Sequence, residues 1–224
     1  MQAWQQVEEI VRLMSTTEGR TKVYRLLQYT SKSLQLVMQR VFEIDAGDDG
    51  IRVLKALETL LGTCRKTMRL FRFVDMALLL TTVEDKNLAI RRVRQMRILT
   101  FFGMYLFENI SLFYASMQIK LPRTSNKQRS SRTFTIQWRR WSHACWFLSL
   151  CLGLGLDLNL KRTSYVAVLK NLTEIPIALI LTLRVRVDDS LLCSLGVASS
   201  LLALHLHRSA MPQLRPAKLF EGMQ

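Results

Sequence analysis

The chain is short of the residues that soluble catalysis most often uses. Three histidines stand among 224 residues, and His205 and His207, two apart, point to different sides of a helix, which disfavours a shared metal. Four cysteines, Cys64, Cys145, Cys151 and Cys193, form no CxxC pair and lie in apolar stretches. They read as small buried hydrophobes in a reducing compartment. Paired carboxylates, a nucleophile triad and a phosphate-cradling loop are all missing; Gly153-Leu154-Gly155 lacks the rest of a dinucleotide fingerprint and reads as helix-packing glycine. The expectation is a protein that is not an enzyme and holds no cofactor and no metal. Acidic side chains are scarce too, 17 against 32 basic ones, for a formal net charge of +15. Such an imbalance implies an anionic partner, either nucleic acid or a lipid surface. With 49% hydrophobic residues and a positive mean hydropathy of +0.12, lipid is the expected partner and nucleic acid is not. The segment Met1 to Leu13 has no cationic region followed by an apolar core, so a cleaved leader is not expected and any organelle address would be internal.

What the chain does have is helical two-facedness. From Ile51 to about Val74, at roughly 100 degrees per residue, Val53, Leu57, Leu60, Leu61, Cys64, Met68, Phe71 and Val74 share one side while Lys55, Arg65, Lys66, Arg69 and Arg72 gather on the other. This pattern fits a helix lying in a membrane surface, with the apolar set inserted and the cations on lipid headgroups. A solvated cationic face over an ordinary protein core is the alternative. Before it, Ala3 to Met14 and about Arg20 to Glu43 carry amphipathic stripes, separated by a turn at Glu18-Gly19 and followed by another at Asp45 to Gly50. Residues 1–85 therefore form an amphipathic helical region.

Longer apolar runs follow. Ile98 to Ile119 carries Glu108 as its one charge, making 86–119 a hydrophobic or re-entrant helix in which a central carboxylate costs about 2.5 to 3.5 kcal/mol on insertion scales. Residues 120–140 are polar and basic and read as a loop. Residues 141–208 read as a membrane-spanning helical region, with Trp138, Trp141 and Trp146 as an interfacial belt and Ser190 to His207 as its best span. In that span Ser194, Gly196, Ala198, Ser199 and Ser200 suit close helix contact in lipid. Residues 209–224 are a C-terminal tail. The fold class expected is all-α, amphipathic N-terminal helices followed by hydrophobic membrane-associated helices.

Three blocks carry a resemblance. Glu18-Gly19-Arg20-Thr21-Lys22 with Arg25, Gln28 and Tyr29 is similar to the D-G-R-D-K...R-x-x-Q-Y opening of the peroxin-11 family. Arg65-Lys66-Thr67-Met68-Arg69-Leu70 resembles the family's R-K-x-x-R-L, departing at Phe71, where members often carry glycine. Leu169 to Pro176, followed by Gly196, Ser199 and Ser200, resembles the K-N-x-x-D-L-P segment and the Gly-x-x-Ser-Ser stretch of the last span. The resemblance implies a peroxisomal or glycosomal membrane protein whose amphipathic helix enters one leaflet and promotes elongation before division. It also implies self-association and recruitment of fission machinery. The rival reading is a membrane channel or solute carrier of the same organelle, lined by Glu108 and Glu174.

Overall fold

The structure, a computed structural model, describes residues 2–118, 125–159 and 164–210; the side chains of residues 2–6, 9, 117–118, 125–134 and 159 are not described. It is all-α, with no strand among the described residues. The helices are α1 (Gln2–Ser15), α2 (Thr17–Arg40), α3 (Asp49–Thr67), α4 (Arg72–Thr82), α5 (Leu88–Gln118), α6 (Ser125–Asn159), α7 (Tyr165–Leu183) and α8 (Asp189–Ala210). Neighbours in space run antiparallel: α2 lies between α3 and α8, α7 between α8 and α6, and α5 between α6 and α4. A narrow contact of α3 with α5 closes the ring.

Local chemistry sets the boundaries. Thr16 caps α2 by accepting from the Gly19 backbone N–H at 3.0 Å, and Asp48 caps α3 through Gly50 at 2.8 Å. The turn expected at Glu18-Gly19 is therefore the first turn of α2. A Cβ on Gly19 would collide with the Leu13 carbonyl of α1, so glycine there permits α1 and α2 to meet at a sharp corner. The long amphipathic stretch is broken: α3 ends at Thr67, Phe71 adopts a left-handed conformation at φ 62°, and α4 starts at Arg72. A periodic stripe cannot reveal that break, because the apolar spacing continues through it. The loop expected over 120–140 is helical from Ser125, one long helix joining the basic stretch to the apolar Trp141–Leu156 run. From Trp138 onward it packs along α5, with Trp138 against Phe107 and Ser142 donating to the Met104 carbonyl.

Three helices among the described residues are long and apolar enough to cross a membrane, Leu88–Ser116, Tyr165–Leu183 and Asp189–Ala210. Their windows are mostly unburied, and Leu99, Phe113, Leu172, Leu179, Leu191 and Leu201 face outward. Pro176 sits inside α7, which continues through it although the Leu172 carbonyl loses its helical donor.

Candidate functional site

Polarity is inverted in this bundle. On α3, Val53 (66% exposed), Leu57 and Leu60 (60%) face out, whereas Arg65 and Lys66, with Arg69 just beyond the end of the helix, line a cavity of about 300 Å³ between α2, α3, α5 and α6. Water-soluble helices do the reverse; outward apolar and inward charged side chains suit a lipid solvent.

The structure divides the sequence-selected residues among distinct places. Of the apolar set, Leu57, Leu60 and Phe71 are exposed, Cys64 and Met68 half-buried, and Leu61 buried. Of the cations, Lys55 is exposed, Arg65, Lys66 and Arg69 line the cavity, and Arg72 belongs to α4, its guanidinium carbon 5.6 Å from the centre of the Tyr105 ring. One-dimensional periodicity puts all five on one stripe, but the break at Phe71 separates the last from the others.

The three motif blocks, distant in sequence, meet around α2. Arg25 donates to Glu174 of α7 at 2.6 Å and to Ser199 of α8 at 3.0 Å, and stands 5.9 Å from the Tyr29 ring centre and 5.8 Å from that of Trp146. Burial works against its charge, yet Glu174 and Tyr29 together outweigh it and hold the Arg25 pKa above its ordinary value. Tyr29 packs so tightly against Gly196 of α8 that any Cβ there would overlap its ring. Gln28 faces α3, accepting from Arg65 at 2.7 Å, and its amide nitrogen would come within 3.0 Å of a Cβ on Gly62. At the corner with α1, Lys22 pairs with Glu18 at 3.3 Å and Arg20 is half-buried. Sequence reading located these blocks but gave no reason for their residue types; contact with one another supplies it.

Two carboxylates answer the buried cations. Glu108 of α5 accepts from Arg69 at 2.8 Å, and Glu174, its side chain 4% exposed, also has Lys170 at 3.8 Å. Glu108 lines the cavity; Glu174 stands behind Arg25. Asn171, in the third block, donates to Asp157 of α6 at 2.7 Å and is buried. Gly62 of α3 and Gly153 of α6, the latter against the Arg97 guanidinium, were not tied to a polar partner by the sequence.

Residues 7–160 match the family described as Peroxisomal biogenesis factor 11. The chain belongs to this family. It is also similar to the peroxisomal membrane protein PMP27 of Saccharomyces cerevisiae, 25% identical over 166 residues, which cover 72% of this chain and 62% of that protein. No solved structure matches. Membership, together with three helices long and apolar enough to cross a bilayer, supports a place in the peroxisomal membrane, and the chain spans less than two thirds of the length of that relative. The family is described as one of biogenesis factors. Its match takes in the first two motif blocks and ends before the third, so Glu174, Gly196 and Ser199 complete the Arg25 site from outside the matched segment.

Proposed function

We propose that the protein curves and elongates the peroxisomal membrane by seating the outer face of α3 in one leaflet, promoting organelle proliferation and division. The observation that carries this reading is the outward row Val53, Leu57 and Leu60, left exposed by the described residues, in a chain of this family. A helix wedged at the acyl boundary expands one leaflet, and the area mismatch relaxes by bending. Burying each of Leu57 and Leu60 contributes about 1.5 to 3 kcal/mol, against about 1 kcal/mol for a basic residue near an anionic surface. Apolar insertion therefore dominates, and exposed Lys55 tunes lipid preference. Self-association would multiply the wedge along a tubule and present a surface to fission machinery.

Tubulation of anionic liposomes by the purified protein tests this. Leu57→Glu or Leu60→Glu should abolish tubules, while Lys55→Ala only weakens them; equal losses from all three contradict the ordering. Leu61 is unsuited to this test because it is buried, and a charge there would act on folding first.

A further inference from the structure

The cavity between α2, α3, α5 and α6 holds more positive charge than the protein itself answers. Arg25, Arg65, Lys66 and Arg69 stand against Glu108 and Glu174, an excess of two, and Arg139 adds its field at Lys66. Among the described residues no carboxylate lies within 4 Å of Arg65 or Lys66. Arg65 spends one N–H on Gln28, and its buried Nε has no hydrogen-bond partner. Burial, followed by the charges of Arg69 and Arg25, pushes the Arg65 pKa down to about 9; burial, followed by Arg139, pushes that of Lys66 down. Arg65 is thus a cation at neutral pH, and burial of both side chains carries a cost that an anion between them would remove. A buried charged donor without a partner is costly enough that a chain rarely keeps one without use.

The opposite wall has a matching oddity. Glu108 gives one oxygen to Arg69, while its buried Oε2 accepts from nothing. A site of forked guanidinium donors, an ammonium and one free carboxylate oxygen asks for an anion that both accepts and donates. Hydrogen phosphate does so, with two negative charges and one O–H; sulfate has no proton to give. About 300 Å³ is at the lower limit of small-molecule pockets and admits a phosphate group with its first substituents.

We propose that this cavity binds a phosphate group through Arg65 and Lys66, with Glu108 accepting a hydrogen bond from its O–H, the group being either a free phosphate or the monoester headgroup of a lipid. The site is distinct from the outer face of α3: one side of the helix meets acyl chains while the other holds an anion inside the bundle.

The test uses the full chain in phosphatidylcholine nanodiscs at neutral pH. Inorganic phosphate should raise the unfolding temperature and bind at least tenfold more tightly than sulfate, since a ligand that favours the folded state stabilises it by mass action. Arg65→Gln and Lys66→Met should each weaken phosphate binding tenfold or more without lowering the unfolding temperature in phosphate-free buffer, because each relieves like-charge crowding. Lys66→Met, which has no ion pair to lose, keeps the test decisive if Arg65→Gln fails to fold. In a second arm phosphatidic acid is placed in the nanodisc; stabilisation by it alone assigns the site to a lipid headgroup, and stabilisation by free phosphate assigns it to a soluble anion. No shift in either arm, equal binding of sulfate, or binding that survives both substitutions overturns the proposal.

Discussion

The two walls of α2 solve one problem in opposite ways. Toward α8 it meets small residues: Gly196 under the Tyr29 ring, with Ser199 and Ser200 fully buried, so that the helices touch and little space remains. Toward α3 it meets Gly62 but also the long side chains Arg65, Lys66 and Arg69, which hold the neighbours apart and leave a charged cavity. Both walls hide polar groups and send apolar ones outward, as helices in lipid do. The difference shows that close packing joins α2 to the apolar helix α8, whereas charge shapes its boundary with the amphipathic helix α3. The rim of the α2–α8 wall adds Lys32 to Asp189 at 2.8 Å and Arg40 to Asp188 at 2.7 Å, exposed pairs that set register more than stability.

Removing the carboxylate partner of Arg25, the α2 side chain that reaches both walls, should have the largest effect. Glu174→Ala strands the Arg25 guanidinium among apolar rings and should destabilise the bundle by about 3 to 5 kcal/mol, measured by unfolding in detergent; a loss below one kcal/mol would mean that Arg25 finds water. Overfilling the tight wall comes next. Gly196→Val must push Tyr29 aside and should lower stability by about 1 to 3 kcal/mol, while Gly155→Ala, with open space where its Cβ would go, should do nothing comparable. The smallest effect is at the corner between α3 and α4. Phe71 is 61% exposed and left-handed, a conformation that costs a non-glycine residue about 1 to 3 kcal/mol. Phe71→Gly should therefore match or exceed the parent in stability and Phe71→Val should fall below it; the reverse order would place the corner elsewhere.

That corner also marks what the sequence could and could not disclose. The departure from glycine at Phe71 was visible as a mismatch to the family pattern, but its meaning, a left-handed residue ending α3, needs backbone geometry. Apolar spans were legible because twenty or so residues of one character admit few alternatives in lipid. The faces of α3 were legible as two stripes, yet their direction was not. Periodicity separates Leu60 from Lys66 without stating which looks outward, and only the partners, Gln28 for Arg65 and Glu108 for Arg69, decide it. The helix over 125–140 was hidden because its polar, basic composition suits a loop, although it continues into the apolar half of α6 that packs on α5. Arg25 is legible as a motif residue, but its partners Glu174 and Ser199 are not, because 149 and 174 residues of chain separate them from it.

The inversion of α3 is the claim on which the rest turns, and spin labels report it directly. In a background without the native cysteines, labels introduced at Leu60→Cys and at Lys66→Cys are compared in anionic vesicles for collision with oxygen, which enters lipid, and with a polar nickel complex, which does not. A label at position 60 that collides with oxygen alone, beside one at position 66 that is shielded from the acyl region, is the predicted result. A label at position 60 shielded from both reagents, or one at position 66 that meets oxygen as freely as position 60 does, would contradict it.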